Sequence, residues 1–414
     1  MQIGIVGLGY VGLPLAVAFA EAGHRAVGYD VDRDRVERLG RGESDVEDVP
    51  AATLSGLGER FIATADPAPL ADCDAIVVCV PTPLAAEREP DLAHVRAAAG
   101  TVASVLRAGQ LVVLESTTYP GTTREELLPP LEHGGLEVGR DFFLAYSPER
   151  IDPGRGAHAI ATTPKVVGGL TPACLERAER LYAEICDEVV AVSSPEAAEL
   201  SKLLENTFRS VNIALVNELA QLTDRTGVDI WEVIDAASTK PFGFMRFDPG
   251  PGMGGHCLPV DPFYLAFEAR RHDFAAEFVE LAGKINQSQP LFCVGKVQRA
   301  LNDRGKPVKG SRVLLVGVAY KSGVADLRES PALKIIDRLR ELGAEVAYHD
   351  PHVPSLPERG LESVPLAAAA DVDAAAIVTA HDGVDYGALV AAAPLVVDFR
   401  GVTRGLAADN VVLL

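Results

Sequence analysis

No apolar run in this chain of 414 residues is long enough to cross a membrane. A membrane-spanning helix needs roughly 20 consecutive apolar residues, and every apolar segment here is interrupted sooner. The apolar start, "MQIGIVGLGYVG", also lacks the basic residues and the small-residue cleavage site of a signal peptide. We therefore expect a cytoplasmic protein with no membrane partner.

Positive charge is scarce as well. The 38 lysines and arginines are outnumbered by 58 aspartates and glutamates, which leaves a formal net charge of −20. Such a chain repels nucleic acid and anionic membrane surfaces, so we expect no nucleic-acid partner. Any anionic ligand must be held by local lysines, arginines and backbone N–H groups.

The six cysteines form neither the close CxxC pairs of a zinc site nor a dense disulfide scaffold, and we expect no metal site. Five lie in apolar or helical stretches and are expected to be reduced and buried: Cys73, Cys79, Cys174, Cys186 and Cys293. Cys257 differs, because it follows a run of glycines in "GPGMGGHCLPVD". Composition leaves open whether it is a nucleophile, a redox thiol or a small core residue.

The N-terminal segment carries a dinucleotide-binding pattern. "QIGIVGLGYVGLPLAVAFAEAGHRAVGYDVD" predicts strand, glycine turn, helix and strand, with Asp30 placed 21 residues after Gly9. Such a helix N-terminus offers N–H donors to a pyrophosphate, and Asp30 would bind the adenosine ribose, which favours NAD. Arg33 and Arg35 could accommodate the 2′-phosphate of NADP, and the motif alone does not exclude FAD. The alternative to dinucleotide binding is a glycine turn with only a packing role. The candidate cofactor-binding residues are Gly7, Gly9, Tyr10, Val11, Gly12, Asp30 and Arg35.

Three further strands are predicted at "DAIVVCVPTP", "QLVVLESTTYPGTT" and "DFFLAYSPER". Helical stretches separate them, which is typical of a parallel sheet whose ligands bind beyond the carboxyl ends of the strands. Thr82, Thr117 and Glu149 each follow one of these strands. They are candidate site residues, although two turn threonines and one solvated glutamate would give the same pattern.

A long helix is predicted from Pro195, after the possible cap Ser194, to Gly227. It is long enough to link two domains and to build a subunit interface. Lys202 and Asn206 lie one turn apart on one of its faces. They could donate hydrogen bonds to an oxygen that becomes negative during a reaction, or they could be a solvated lysine and a helical asparagine.

After the polar linker "NDRGKPVKG" the chain predicts a second βαβ unit without a glycine fingerprint, whose helix is capped by Ser330 and starts with Pro331. A chain of this length exceeds what one core usually supports. The predicted fold class is therefore α/β, with two Rossmann-like doubly wound domains joined by the long central helix. We expect an NAD-binding domain at 1–193, a central helical and dimerisation domain at 194–300, and a C-terminal Rossmann-like domain at 310–414.

Taken together in chain order, these motifs resemble the UDP-glucose/GDP-mannose dehydrogenase family, the nucleotide-sugar 6-dehydrogenases. The resemblance covers nearly the whole chain, and the GGxC segment combined with the Lys-x-x-x-Asn helix is specific. The matching segments are the GxGxxG start, "VPTP", "ESTTYPGTT", "SPER", "KLLENTFRSVNIALVNEL", "GPGMGGHCLPVDPFYL" and "AYKSGVADLRES".

The resemblance implies a four-electron oxidation of a sugar C6 hydroxyl to a carboxylate with two NAD⁺ in succession, yielding a uronic acid for polysaccharide or glycoside biosynthesis. It makes Cys257 the nucleophile that captures the C6 aldehyde as a thiohemiacetal, which becomes a thioester and is hydrolysed. It implies that Lys202 and Asn206 stabilise the oxyanion, that Asp261 supports general base catalysis, and that Glu149 with Thr117 takes part in hydrolysis of the thioester.

The resemblance also implies binding roles, and it makes the C-terminal domain at 310–414 the nucleotide-sugar-binding domain. Substrate-binding residues would be Glu149, Arg150, Lys202, Asn206, Gly254 and Lys321, and Thr82, Thr117 and Arg328 would contact the cofactor. His256 is a possible thiol activator, although neighbouring side chains usually point apart. The resemblance leaves open which carboxylate acts as base in each step.

Two departures bear on the substrate and the subunit contact. The glucose-oxidising branch of the family has a second glutamate where this chain has Pro153, and the nearest carboxylate here is Asp152. The segment "SPERIDPG" is more similar to enzymes that act on UDP-N-acetylhexosamines. Its motif is most similar to the UDP-N-acetylglucosamine 6-dehydrogenase type. Members of the family complete the site with an arginine of the neighbouring subunit. In this chain that arginine is replaced, in the segment near Lys240 or Arg246. UDP-glucose, dTDP-glucose and a GDP-sugar stay open as substrates.

Two other functions stay open at this point. A two-electron 3-hydroxyacid-type NAD dehydrogenase would share the first domain and the Lys-Asn pair, but it leaves Cys257 and the C-terminal βαβ unit unexplained. A non-catalytic NAD or redox sensor would use Cys257 as a regulated thiol, but it has no use for Lys202, Asn206 and Asp261 together.

Overall fold

The computed structural model describes residues 1–44, 46, 48–85, 89–150, 160–255, 258–406 and 408–414. The chain divides into two compact units. The N-terminal unit comprises Met1–Glu205 and Phe263–Phe274, and the C-terminal unit comprises Asn206–Pro262 and Ala275–Leu414. The three-domain division expected from the sequence stays a prediction.

The N-terminal unit is built on one sheet covered by helices. Its strands are β1 (Gln2–Val6), β2 (Arg25–Tyr29), β3 (Phe61–Thr64), β4 (Ala75–Val78), β5 (Leu111–Leu114), β6 (Phe143–Tyr146), β7 (Lys165–Gly169) and β8 (Val189–Val192). Its helices before the long one are α1 (Gly12–Glu21), α2 (Arg33–Gly40), α3 (Ala51–Leu57), α4 (Ala93–Val105), α5 (Leu128–Glu132) and α6 (Pro172–Tyr182). The strand order β3-β2-β1-β4-β5-β6-β7-β8 places the glycine turn after the central strand β1.

The strand pairing explains the sequence pattern. β1, β4, β5 and β6 pair in parallel, and β4, β5 and β6 are buried along their whole length. Strands buried on both faces read as continuous apolar runs, which is why the sequence predicted them. The alternation of strands and helices did not predict that β7 pairs antiparallel with β6 and that β8 follows β7 in parallel.

Four helices follow the first sheet: α7 (Pro195–Thr226), α8 (Ile230–Ser238), α9 (Asp261–Arg271) and α10 (Glu277–Asp303). The 32 residues of α7 give a rod of about 48 Å at 1.5 Å per residue, which confirms the predicted long helix to within one residue. The division between the two units falls within α7, between Glu205 and Asn206.

The C-terminal unit repeats the parallel α/β design. Its elements are β9 (Arg312–Val316), α11 (Pro331–Glu341), β10 (Glu345–His349), β11 (Ser355–Leu356), β12 (Leu361–Glu362), β13 (Ala374–Ile377), α12 (Tyr386–Ala392), β14 (Val396–Asp398) and β15 (Val411–Leu413). The sheet order is β10-β9-β13-β14-β15 with parallel pairings, and β11 and β12 form a small antiparallel pair. The fold class predicted from the sequence is confirmed.

Alternation along β9 shows how this sheet is covered on both faces. Val313 and Leu315 belong to one hydrophobic cluster, and Leu314 and Val316 belong to another. Successive side chains of a strand point to opposite faces, so the two clusters are the two faces of the sheet. Helix α11 begins at Pro331, and the hydroxyl of the preceding Ser330 caps it by accepting a hydrogen bond from the Ala332 N–H, as the Ser-Pro pattern predicted.

Close packing of α6 on β7 gives a test of the N-terminal fold. A Cβ added to Gly169 would lie 2.2 Å from the Leu175 backbone nitrogen and 2.5 Å from its Cα. Gly169→Ala should therefore lower the free energy of unfolding by about 1–3 kcal/mol, measured as the urea midpoint by circular dichroism. Gly100→Ala is the control, because a Cβ there in α4 meets no atom within 4 Å, and it should stabilise by about 0.5–1 kcal/mol. Equal shifts in the two variants would contradict this packing argument.

Candidate active site

The turn after β1 contains three glycines, Gly7, Gly9 and Gly12. At two of them a side chain would collide with the protein backbone. Gly7 has a φ of 94°, and a Cβ there would lie 2.6 Å from the Cys79 carbonyl oxygen. A Cβ on Gly12 would lie 1.8 Å from the Gly7 carbonyl oxygen. A Cβ on Gly9 would meet no protein atom within 4 Å. Gly9 therefore borders open space, which a dinucleotide lying against the turn would need.

Helix α1 is open at its start. Val11 occupies the N-cap position, and in the described residues no side chain caps the helix and no acid lies in its first turn. Tyr10, in the same turn, is half exposed. An uncapped helix N-terminus without an acid in its first turn favours a bound anion such as a pyrophosphate. This end of α1 fits the dinucleotide that the sequence predicted.

Asp30 directly follows β2 and is held in a fixed orientation. One carboxylate oxygen accepts a hydrogen bond from the Leu8 N–H at 2.8 Å, and the other accepts one from the Asp32 N–H at 2.9 Å. The Arg35 guanidinium lies 3.5 Å from the same carboxylate. Because each carboxylate oxygen has two lone pairs, Asp30 retains acceptor capacity for ribose hydroxyls.

Thr82 and Thr117 lie beyond the carboxyl ends of β4 and β5, as predicted. Thr82 is buried, and its carbonyl oxygen accepts a hydrogen bond from the Tyr264 hydroxyl at 2.9 Å. Thr117 is half-buried, and the preceding Ser116 hydroxyl donates to the Val80 carbonyl at 2.8 Å. The loops after β4 and β5 are thus tied together at one edge of the sheet.

The loop that continues from Thr117 is fastened to α7 by a buried carboxylate. Glu199 accepts hydrogen bonds from the Gly121 N–H at 2.6 Å, the Thr123 N–H at 2.9 Å and the Thr123 hydroxyl at 2.7 Å. Burial raises the pKa of Glu199 to about 7, against the opposing effect of these hydrogen bonds. No motif in the sequence marked this glutamate, three residues before Lys202.

Lys202 and Glu149 meet in the N-terminal unit. Lys202 is buried, and its ammonium donates a hydrogen bond to the Glu149 backbone carbonyl. The Glu149 carboxylate lies 4.0 Å from the Lys165 ammonium. Two candidate residues from distant parts of the sequence are therefore in direct contact, although through the backbone of Glu149.

Arg150 is engaged by protein groups. Its guanidinium pairs with the Glu205 carboxylate at 2.7 Å and donates to the Pro164 carbonyl at 2.7 Å. These contacts hold the Arg150 guanidinium beside Glu205 of α7.

Asn206 and Asp261 form the second contact pair, in the C-terminal unit. Both are buried, and the Asn206 amide donates a hydrogen bond to the Asp261 carboxylate. Asp261 is the first residue of α9, where the helix dipole stabilises a negative charge. The sequence marked both residues as candidates but did not predict that they bind each other.

The glycine segment before Cys257 packs against the loop after β9. A Cβ on Gly254 would lie 2.6 Å from the Tyr320 Cβ, and one on Gly255 would lie 2.8 Å from the Tyr320 ring. The Gly255 N–H donates to the Arg328 carbonyl at 2.8 Å. The close approach that these glycines permit is thus to Tyr320 and Arg328 of the chain itself. Cys257, His256, Asp152 and Pro153 lie outside the described residues.

The candidate cations of the C-terminal unit have protein partners. Lys321 has its ammonium 5.7 Å from the Tyr320 ring centroid, and the Arg328 guanidinium pairs with Asp326 at 2.6 Å. Arg246 pairs with Asp235 at 2.7 Å and with Asp248, and the Lys240 ammonium lies 5.0 Å from the Phe242 ring centroid.

The five remaining cysteines are buried and form no disulfide, which confirms the prediction. Burial raises the pKa of Cys73 and of Cys186 to about 11, so neither thiol is an activated nucleophile. In the described part of the chain, no group of three or more His, Cys, Asp and Glu residues is arranged to hold a metal ion. The same described residues contain no helix with the length and apolarity of a membrane span.

Sequence reasoning missed a buried charged cluster beside Glu149. Glu115, Lys165 and Tyr182 are all buried, and the Glu115 carboxylate accepts hydrogen bonds from the other two side chains. A signal existed, because Glu115 directly follows the apolar run "LVVL" and Lys165 directly precedes "VVGG". Charged side chains are almost never fully buried unless they are paired.

The glycine turn, the open end of α1 and the carboxylate after β2 define the class: a Rossmann-type dinucleotide-binding protein. Three models of one family match the chain. The NAD binding domain of the UDP-glucose/GDP-mannose dehydrogenase family matches residues 1–186, its central domain 196–288, and its UDP binding domain 314–405. The chain belongs to the UDP-glucose/GDP-mannose dehydrogenase family, and its cofactor is NAD.

Individual relatives agree with the family. A UDP-N-acetyl-D-glucosamine 6-dehydrogenase of Pseudomonas aeruginosa is 39% identical over 355 residues, covering 85% of this chain and 83% of that protein. A UDP-N-acetyl-D-mannosamine dehydrogenase of Pyrococcus horikoshii is 38% identical over 359 residues, covering 85% and 84%. The solved structure of a UDP-D-ManNAc dehydrogenase from Pyrococcus horikoshii superposes with a TM-score of 0.91 at 32% identity, covering 100% of this chain and 98% of that one.

The buried Glu199 gives a prediction for pH dependence. Its pKa is raised from an ordinary value of 4.5 to about 7, so the folded state binds the proton more tightly than the unfolded state. Its contribution to stability is therefore full below about pH 4.5 and is lost as the pH rises through 7. Relative to Glu199→Gln, the wild type should lose up to about 3 kcal/mol of unfolding free energy between pH 4.5 and 8, measured by urea unfolding at several pH values. A difference between the two proteins that stays constant with pH would refute the raised pKa.

Proposed function

We propose that this protein oxidises the C6 hydroxyl of a UDP-sugar to a carboxylate in two successive NAD-dependent steps. The observation that carries the proposal is the polar face of α7. Lys202 and Asn206, 7% and 4% exposed, lie one turn apart on this helix. Lys202 donates to the Glu149 backbone, and Asn206 donates to the Asp261 carboxylate. Burial of such groups is costly, so their pairing with candidate residues supports a site over a solvated surface.

The cofactor would lie against the glycine turn. Gly7, Gly9 and Gly12 would border the pyrophosphate, and Asp30 would accept hydrogen bonds from the ribose. When bound, NAD⁺ supplies the hydride acceptor for both oxidations. Thr82, Thr117 and Arg328 are proposed as further cofactor contacts, with Tyr10, Val11 and Arg35 beside the turn.

Cys257 is proposed as the covalent nucleophile. Its thiolate would form a C–S bond with the C6 aldehyde carbon, and the carbonyl oxygen would take up a proton to give a thiohemiacetal. That carbon keeps one hydrogen, so a second two-electron oxidation is possible and yields a thioester. Water then adds to the thioester carbon, the C–S bond breaks, and the products are the sugar carboxylate, one proton and the free thiol.

The polar residues around this centre would stabilise charge and move protons. Lys202 and Asn206 would donate hydrogen bonds to the oxygen on C6 when it is negative, where a single donor is worth roughly 10²- to 10³-fold in rate. Asp261 would support general base catalysis, and Glu149 with Thr117 would activate the hydrolytic water. Arg150, Gly254 and Lys321 are proposed to bind the nucleotide sugar, because a chain with a net charge of −20 needs local donors for a diphosphate.

The proposed substrate is a UDP-N-acetylhexosamine. Relatives that cover more than four-fifths of this chain are named as dehydrogenases of UDP-N-acetyl-D-glucosamine and UDP-N-acetyl-D-mannosamine. The "SPERIDPG" segment, which has no second glutamate after Glu149, points the same way. UDP-glucose, dTDP-glucose and GDP-mannose are the alternatives that the assay must separate.

We propose a homodimer formed through α7. One face of this helix carries exposed apolar side chains at Leu200, Leu204, Leu215, Leu219 and Leu222, each 39% to 64% exposed. At 100° per residue these positions fall within about 100° of one another, on the side opposite Lys202 and Asn206. An exposed apolar stripe on a long helix favours burial against another apolar surface, here a second copy of the same helix.

The first experiment measures NADH and product mass with UDP-glucose, UDP-N-acetylglucosamine, UDP-N-acetylmannosamine, GDP-mannose and dTDP-glucose. Two NADH per sugar acid are expected with a UDP-N-acetylhexosamine. One NADH per turnover without acid would support a two-electron dehydrogenase instead. NAD binding without any turnover would favour the sensor function and overturn the proposal.

A cysteine pair controls this experiment. Cys257→Ser should abolish acid formation while NAD binding, followed by protein fluorescence, is retained. Cys73→Ser is the matched control, because Cys73 is buried just before β4, at the end of that strand away from the proposed site, and it should keep the two-NADH stoichiometry. Normal acid production by Cys257→Ser would exclude the covalent mechanism.

The proposed dimer is tested with Leu204, the most exposed leucine of the stripe at 64%. Leu204→Glu places a charge within the proposed interface and should convert the dimer to a monomer in sedimentation velocity, because an unpaired charge is costly to bury. Leu406→Glu, at an exposed leucine outside α7, should leave the dimer intact. A wild-type protein that sediments as a monomer would remove the proposal.

A further inference from the structure

The starting observation is a buried lysine between two carboxylates of the N-terminal unit. Lys165 is 7% exposed, and its ammonium lies 2.9 Å from the Glu115 carboxylate and 4.0 Å from the Glu149 carboxylate. Glu115 is 1% exposed, whereas Glu149 is half-buried. Lys165 therefore connects a fully buried acid to one that can reach a ligand.

The antiparallel pairing of β7 brings these three groups together. Glu115 follows β5 and Glu149 follows β6, so both acids lie at the carboxyl edge of the sheet. Because β7 runs against β6, its first residue, Lys165, starts at this same edge. A parallel β7 would have placed Lys165 at the opposite edge. The unexpected strand direction therefore has a chemical consequence.

The lysine is held by two anchors. Glu115 accepts hydrogen bonds from the Lys165 ammonium and from the hydroxyl of Tyr182, the last residue of α6. The same ammonium lies 4.9 Å from the centroid of the Tyr182 ring. Lys165 thus has little freedom to leave the position beside Glu149.

Stability alone is a weak reason for this cluster. A buried ion pair is often no more stabilising than apolar residues of similar volume, because desolvation offsets the attraction. Although burial lowers the pKa of Lys165, the carboxylates of Glu115 and Glu149 raise it above its ordinary value, so the residue stays charged at neutral pH. Two carboxylates share this one positive charge, and Glu149 is the acid that the proposed mechanism uses.

We propose that Lys165 is a positioning residue that orients the Glu149 carboxylate for hydrolysis of the thioester, with Glu115 and Tyr182 as its anchors. This inference rests on the proposed function. Lys165 touches neither substrate nor cofactor in this scheme; it acts through Glu149. Misplacing an activating carboxylate by about 1 Å can cost roughly 100-fold in rate. The loss should fall on the hydrolytic step and spare the steps before it.

The test follows the acyl-enzyme directly. The substrate is the nucleotide sugar that gives turnover in the panel assay. With it, Lys165→Met should retain the rapid first release of NADH and lower the steady-state kcat by roughly 10- to 100-fold. The variant should also accumulate the thioester adduct on the protein, which intact-protein mass spectrometry detects. Lys165→Arg, which keeps the charge, should show less adduct and a higher kcat than Lys165→Met. Lys165→Met without adduct accumulation would overturn the inference.

A matched variant separates positioning from structural damage. Lys296 is also a buried lysine paired with an acid, Asp224, in the C-terminal unit. Lys296→Met should remove a similar ion pair without any accumulation of adduct. If Lys165→Met does not fold, Tyr182→Phe can be used instead, because it removes one anchor and keeps the ring. A rise in adduct that is smaller than the rise expected for Lys165→Met would support the inference, and no rise would overturn it.

The wild type and Glu149→Gln keep the two proposals distinguishable. Glu149→Gln should accumulate the same adduct as Lys165→Met. If the wild type gives no sugar acid, or if Glu149→Gln accumulates no adduct, the proposed function or the role of Glu149 fails. If both behave as expected and Lys165→Met does not resemble Glu149→Gln, only the role of Lys165 fails.

Discussion

The structure depends on one requirement: each buried carboxylate must be met by hydrogen-bond donors. Burying a charged group without partners costs several kcal/mol, and this chain has far more acids than bases. Four buried acids illustrate the solutions, namely Glu115 with Lys165 and Tyr182, Glu199 with Gly121 and Thr123, Asp261 with Asn206, and Asp350 with His381. Asp261 is itself a candidate site residue, and Glu115 shares the Lys165 ammonium with another, Glu149. For Asp350, burial opposes ionisation, but hydrogen bonds from His381 and backbone N–H groups hold its pKa well below the ordinary value.

Parallel strands explain why these acids collect where they do. Residues that follow parallel strands come out at one edge of the sheet, so Thr82, Thr117 and Glu149 share an edge although they are far apart in sequence. The reversed strand β7 adds Lys165 to that edge, and Glu199 fastens the loop after Thr117 to α7. Fold topology and charge pairing therefore act together.

The sequence predicted the parts of the structure that follow from local patterns. Strands such as β4 and β5, the capped helix after Ser330 and the length of α7 all follow from apolar runs, caps and periodicity. The direction of β7 could not be predicted, because an apolar run reads the same in either direction. Contacts such as that of Asn206 with Asp261 were also beyond reach, because their geometry depends on tertiary packing. The resemblance named these residues, and the structure added which of them touch.

Helix α7 combines two roles that the sequence assigned to one segment. Its buried face holds Lys202 and Asn206 one turn apart, and this spacing is set by the helix itself and not by any loop. Its opposite face carries the exposed leucines of the proposed dimer. A change in packing on the leucine face would therefore act on the same rigid rod that carries both donors. In the proposed mechanism these donors must be placed within fractions of an ångström to stabilise an oxyanion, and a helix held by the core on one face and by the proposed dimer on the other suits this task better than a mobile loop.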